Sequence, residues 1–162
     1  MKKMTIRNNV FETNSSSTHS MCIVHDNLDA KQLKKIQKNV VFKAEYFGWE
    51  NNFINSVEGK ASYLFSIAST ISPSEREDFK NRVFEWLGEI GVEATFIDSN
   101  DSYLVDHYDG ALDFYNYVMH TKNHLIRYLF SDKSFVITGN DNEPSDVEID
   151  VDYRHEEFYK GN

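Results

Sequence analysis

Phe79, Val83, Trp86, Leu87 and Ile90 recur at intervals of three and four residues, the clearest periodicity in the chain. That spacing puts them on one face of an amphipathic helix. Its start is marked by Ser72-Pro73-Ser74-Glu75: an N-cap serine, a proline at the first helical position and a glutamate at the third. Gly91 marks its end. A second helix is predicted over 28–37, with Leu28, Leu33 and Ile36 inward, Lys31, Lys34, Lys35 and Lys38 solvated, and Asn27 as its cap. A third is predicted over 60–71, weakened by its serines and threonine, and one or two more over 111–130.

Strands are predicted over 5–11, 21–24, 40–42, 92–97 and 134–138, with 102–105 pairing to 92–97 across a turn at 98–101. Val147, Ile149 and Val151 alternate with Glu148, Asp150 and Asp152, the pattern of a half-buried strand with one acidic face. Residues 46–59 read as irregular, and Gly139-Asn140-Asp141-Asn142 as a turn. The mixture is neither a regular βαβ alternation nor all-β. The predicted class is α+β: a largely antiparallel sheet packed with about three to four helices. One domain is expected over 1–142, followed by an acidic C-terminal strand or tail at 143–162.

Composition narrows the class of protein. At 162 residues and 40% apolar content, the chain can bury a core without covalent staples. Cys22 is the sole cysteine, which excludes an intramolecular disulfide and a cysteine-based zinc site. It falls in a predicted strand and reads as a buried, inert thiol. No apolar run approaches the eighteen or so residues of a membrane span. Residues 1–14 are basic but lack an apolar signal core. A cytoplasmic protein without membrane contact is expected.

Charge is unevenly placed. Residues 1–44 carry eight Lys/Arg against three Asp/Glu, and residues 45–162 carry nine against twenty-three, for a net −9. The last twenty-two residues alone hold eight acids against Arg154 and Lys160. Phosphate neutralisation needs clustered Lys/Arg, so direct nucleic-acid binding is not expected. The acidic excess reads either as a solubilising surface or as a face for a basic protein.

Residues 12–20, Glu-Thr-Asn-Ser-Ser-Ser-Thr-His-Ser, hold no large apolar side chain. One reading is a hydrogen-bonded hairpin connection, since Ser, Thr and Asn bond readily to their own backbone. The other is a ligand cradle. Hydroxyls and amides of Asn14, Ser15, Ser16, Ser17 and Thr18 would surround an anion such as phosphate, with Arg7 meeting it bidentately. His19 would serve as acid–base or as an electrostatic stabiliser, and Glu12 would orient it or act as base. A serine within reach of His19 also permits nucleophilic catalysis. The absence of glycine excludes a P-loop and a dinucleotide fingerprint.

The string Val10-Phe11-Glu12-Thr13-Asn14-Ser15-Ser16-Ser17-Thr18-His19-Ser20 resembles the N-terminal signature of an uncharacterised family of small proteins from bacteriophages and Firmicute mobile elements. Phe47-Gly48-Trp49-Glu50, Ala61-Ser62-Tyr63-Leu64, Asp106-His107 and Gly139-Asn140-Asp141 are similar to further parts of that pattern. The resemblance covers about residues 6–142 and leaves the acidic tail outside. It implies a phage or prophage accessory protein of the kind that modifies host metabolism or blocks host defence. It also implies that Asp106 and His107 belong with the serine-rich segment.

Other features carry two readings each. Asp106-His107 follows a predicted strand, where catalytic groups often sit and where ordinary strand-end turns also sit. Phe47-Gly48-Trp49-Glu50 is either an aromatic wall for a ligand or a core and loop anchor, its acidic neighbours arguing for the latter. His120 and His124, at i and i+4, would share a helix face. Such a pair can bind zinc when a third ligand arrives, here His107 or Asp106, but no Glu follows His120 as in the metalloprotease pattern. The two are read as surface or interfacial residues, and no metal site is expected. Gly139-Asn140-Asp141-Asn142 has oxygens for a hard cation but lacks EF-hand spacing.

Two functions follow. The first is binding of, or action on, a phosphorylated small molecule or nucleotide through 12–20, with Glu12, His19, Asp106 and His107 as the reacting set. The alternative is a non-enzymatic acidic inhibitor or adaptor of a basic host protein, of the anti-defence kind, through Glu148, Asp150 and Asp152.

Overall fold

Ten consecutive buried residues, Lys60 to Ser69, place one helix at the centre of the molecule. A helix buried on every side has no polar face to give to solvent, and here, Lys60 apart, small and apolar residues run all round it. The computed structural model describes residues 2–6, 17–24, 28, 30–50, 52–106, 109–140, 147–151 and 156–161. Along the chain these form β1 (Lys2–Ile6), β2 (Ser17–Val24), α1 (Ala30–Lys34), β3 (Asn39–Lys43), β4 (Asn52–Ile54), α2 (Val57–Ile71) and α3 (Pro73–Gly88). Then follow β5 (Glu93–Ile97), α4 (Asp109–Val118), α5 (Lys122–Phe130), β6 (Phe135–Asn140), β7 (Val147–Val151) and β8 (Glu156–Gly161).

The fold is α+β. The main sheet runs β4-β6-β2-β8, antiparallel throughout. β2 is interior to it, and all eight of its residues are buried. α4 and α5 pack on β2, and α2 meets α4 and α5 on one side and β3 and α3 on the other. β1 pairs with β7, so the acidic segment at 147–151 is a strand along its length.

α3 forms as its sequence dictates. Ser72 Oγ accepts from the Glu75 N–H at 3.0 Å, and Gly91 takes the left-handed backbone (φ 74°) that ends the helical run. Phe79, Val83 and Leu87 are fully buried.

Several expectations are corrected. β5 pairs with β3 in parallel, in the register Phe42↔Phe96, and not with 102–105. That register stacks Phe42 on Phe96 (ring centroids 5.1 Å) and brings both rings to Phe79. Large aromatic burial of this kind outweighs a short local hairpin. The connection between the two strands runs through β4, α2 and α3, the long crossover that parallel pairing requires. Of the one or two helices expected over 111–130 there are two, with Thr121 capping the second, which brings the helices among the described residues to five. α1 is a single short helix of five residues, and Leu33, expected inward, is exposed. Gly139 and Asn140 belong to β6 opposite Thr18 and Ser17, not to a turn. Ser17 to Ser20 lie in β2, not in a loop.

Candidate functional site

Side chains of β2 alternate between two faces, so Ser17, His19 and Met21 point the same way. That face looks toward α2. The Nδ1 of His19 lies 2.9 Å from the Tyr63 hydroxyl, and the same hydroxyl lies 3.7 Å from the Met21 sulfur. The Nε2 of His19 lies 3.2 Å from the Gly48 carbonyl oxygen. A carbonyl can only accept, so Nε2 donates there. In the neutral tautomer that carries its proton on Nε2, Nδ1 accepts from Tyr63 O–H. Burial pushes the Tyr63 hydroxyl far above its ordinary value, which keeps it a donor. His19 is 2% exposed, and both its ring nitrogens are engaged inside the protein.

Ser17, two residues earlier, donates from Oγ to Oδ2 of Asp106 at 3.0 Å. The same oxygen accepts from the Trp49 indole N–H at 2.9 Å, and Oδ1 accepts from the Tyr103 hydroxyl at 2.8 Å. Three donors thus converge on one carboxylate. The Tyr46 hydroxyl is raised above its ordinary value by burial first and by the charge of Asp106 second. Tyr46, Trp49 and Tyr103 are 58%, 46% and 52% exposed.

The loop that presents these rings is held along its backbone. Phe47 N–H donates to Leu104 O and Asp106 N–H donates to Phe47 O, a parallel bridge between two loops. Phe47 turns inward, edge-on to Tyr63 at 5.2 Å. Gly48 O receives His19, and Glu50 O receives Thr138 Oγ1 at 2.6 Å. Gly48 is buried, and the three atoms nearest a Cβ there all belong to Tyr46.

α2 supplies the rest of the frame. Ser62, Ser66 and Thr70 stand at i, i+4 and i+8 on one face. Ser62 Oγ accepts from Lys43 N–H, Ser66 Oγ from Glu45 N–H, and Thr70 Oγ1 from the N–H groups of Leu104 and Val105. The hydroxyls that make 60–71 a weak helix on propensity are a row of acceptors that seats both loops.

The site residues expected from sequence therefore divide. Ser17, His19 and Asp106 come together around α2 and the 46–50 loop. Thr18 is buried on β2 opposite Gly139. Arg7, Glu12, Asn14, Ser15, Ser16, His107 and Asp152 lie outside the described residues, and Glu148 and Asp150 are described only as backbone of β7. Of the Phe47-Gly48-Trp49-Glu50 string, Phe47 is the anchor and Trp49 faces out.

Two features escaped the sequence. Tyr46 and Tyr103 join the site although neither stands in a motif, and only their proximity in the fold marks them. Lys60 is the other. It is 1% exposed, and its ammonium donates to the carbonyls of Ser131 (2.7 Å) and Ser134 (3.2 Å) at the end of α5. Burial lowers its pKa to about 7, opposed in part by Asp132. The signal was a lone charge among small and apolar residues in 59–65.

His120 and His124 do not share one helix face. α4 ends at Val118, and Thr121 caps α5 between them. Their ring centroids are 6.1 Å apart, and His124 stacks on Tyr117 at 4.3 Å with Nδ1 on the Tyr117 carbonyl. Among the described residues, no group of three or more His, Cys, Asp or Glu could hold a metal ion, and no helix is long and apolar enough to cross a membrane. A cleft of about 280 Å³ lies elsewhere, lined in part by Lys35, Val57, Phe130 and Asp132, and holds none of these site residues. No family model, curated protein or solved structure matches this chain.

Proposed function

We propose that this chain is a non-catalytic binding protein that holds a basic protein partner through the surface around Asp106. One observation carries the reading: two exposed aromatic side chains, Trp49 and Tyr103, bond to a single carboxylate, with Tyr46 also exposed on the same backbone-pinned loop as Trp49. Aromatic residues in a rigid setting are the usual anchors of protein interfaces. The hydroxyl of Ser17 and both nitrogens of His19 meanwhile bond within the protein, a structural use of the groups expected to do chemistry. The −14 carried by residues 45–162 favours a cationic partner. The resemblance to phage accessory proteins fits an anti-defence adaptor of this kind.

The test is binding of a lysine- and arginine-rich polypeptide to the immobilised chain at low and at physiological salt. Binding that weakens with salt and is lost in Asp106→Lys supports the reading. Charge reversal at Glu148, Asp150 and Asp152 asks whether the contact extends to the acidic strand.

A second reading has one observation in its favour. An exposed indole beside a carboxylate also suits a nucleotide base, its phosphate going to the anion-binding residues expected from sequence, Arg7, Asn14, Ser15 and Ser16. Quenching of Trp49 fluorescence by mononucleotides, absent in Arg7→Ala, separates this reading from the first.

A further inference from the structure

We infer that the group recognised at this surface is the guanidinium of an arginine, stacked on Trp49 and flanked by Tyr46 and Tyr103. The inference rests on the partner-binding reading and goes beyond it by naming the side chain selected.

The seven exposed large hydrophobic residues among those described are Leu33, Tyr46, Trp49, Phe53, Phe84, Ile97 and Tyr103. Two of them, Trp49 and Tyr103, bond to Asp106 through their polar edges, and a third, Tyr46, stands against Gly48, next in sequence to Trp49. The grouping is what a cation seat needs, since cations are attracted to the faces of Trp and Tyr within about 6 Å of the ring centroid.

The hydrogen bonds sharpen that attraction. Trp49 and Tyr103 both donate their polar edge to the same carboxylate. Donation to an anion pushes electron density back into each ring and enriches its face, as hydrogen-bonded groups polarise one another. Holding the rings by their edges also fixes which way the faces point. The backbone bonds of the 46–50 loop add to this, so little ordering entropy remains to be lost on binding.

Arginine suits the seat better than lysine. Its guanidinium is planar, weakly hydrated and able to lie flat on an indole while its edge turns toward a carboxylate. Lysine's ammonium is a strongly hydrated point charge that gains less from a flat ring. A neutral planar group of the same shape, such as citrulline, matches the stacking and lacks the charge.

The test compares an arginine-rich peptide with lysine and citrulline peptides of the same length, titrated into the full chain at physiological salt with Trp fluorescence and calorimetry as readouts. The arginine peptide is expected to bind about tenfold tighter than the lysine peptide, and the citrulline peptide not to bind. Trp49→Ala is expected to remove the arginine preference and leave an equal, salt-sensitive affinity for both basic peptides. Tyr103→Phe keeps the ring and loses the bond to Asp106, with an expected two- to threefold loss for arginine alone. Thermal melting of each variant confirms that it folds.

Equal binding of arginine and lysine peptides, unchanged in Trp49→Ala, overturns the arginine seat and leaves the basic-partner reading standing. No binding by either basic peptide removes both. Quenching by a mononucleotide in preference to any peptide overturns the seat in favour of the nucleotide reading.

Discussion

The Nδ1 of His19 and the hydroxyl of Tyr63, 2.9 Å apart, join the interior strand β2 to the central helix α2 through one buried hydrogen bond. The other ring nitrogen reaches Gly48 O and so ties the aromatic loop to both. His19 thus works as a three-way brace under the surface that Trp49 presents.

His19→Ala leaves the Tyr63 hydroxyl and the Gly48 carbonyl buried without this partner, at about 1–3 kcal/mol for each. A total near ~3 kcal/mol lowers the melting midpoint by roughly 6–12 °C. Tyr63→Phe removes a hydroxyl and keeps the ring, so it is expected to cost less than half as much. Urea unfolding of the two variants checks the order. A His19→Ala variant as stable as the parent would contradict the brace.

Lys60 makes stability depend on pH in a predictable direction. Its folded pKa, lowered to about 7, lies well under the ordinary 10.5. Between those values the unfolded chain holds a proton that the folded one has released, so stability rises with pH across that window. Below about pH 7 both states are charged, and the cost of burying the ammonium is felt in full. Above pH 10 the sign reverses. Tyr63, Tyr115, Tyr128 and Tyr159 are all raised, chiefly by burial, and stay protonated in the fold while the unfolded chain ionises. Urea midpoints from pH 6 to 11 are expected to peak between 9 and 10. Lys60→Met should flatten the rise and leave the alkaline fall.

These effects show where sequence reading succeeds and where it stops. The limits of α3 were legible because Ser72, Pro73 and Gly91 act on their own backbone, within a turn of where they stand. The alternation at 147–151 was legible for the same reason. The partner of β5 was not, because Phe42 and Phe96 are far apart in sequence and meet through Phe65 and Phe79 on two helices. Ser17 to Ser20 read as loop because they are polar, yet they occupy a strand interior to the sheet. The polar groups of Ser17 and His19 are satisfied by Asp106, Tyr63 and Gly48, none of them local. For the site, Ser17, His19 and Asp106 could be named from sequence, but which side of the chain faces a partner could not. Phe47 and Trp49 look alike in composition and point opposite ways.

The serines of α2 give a paired prediction. Ser66→Ala removes the acceptor for the Glu45 N–H at 3.0 Å and leaves that donor part-buried and unpaired, at a cost of about 1–2 kcal/mol. Ser69, one turn on and 9% exposed, has a buried hydroxyl with no hydrogen-bond partner among the described residues. Ser69→Ala removes that unmet group and gains helix propensity, so it is expected to raise stability by about 0.5–1 kcal/mol. Chemical denaturation of the two single variants should give opposite signs. Equal destabilisation by both would mean that the hydroxyl row contributes nothing beyond side-chain volume.

Gly48 sets the position of Tyr46, and this relation separates loop shape from loop stability. A Cβ at Gly48 would stand 2.3 Å from the Tyr46 hydroxyl oxygen and 2.5 Å from its Cε1, closer than side chains tolerate. The obstacle is the far end of an exposed ring, so the ring can swing out while the backbone, held through Gly48 O and Phe47, stays in place. Gly48→Ala should therefore change stability by less than about 1 kcal/mol, a few degrees in melting midpoint. Arginine-peptide affinity should fall about two- to threefold as one of three rings leaves the seat. The two substitutions then act on one contact and do not add: in a Tyr46→Ala background, Gly48→Ala should lower affinity no further. A loss of several kcal/mol in both backgrounds would show that the methyl group displaces the loop backbone itself, together with its bond to His19. Tyr46 would then be a bystander to the change.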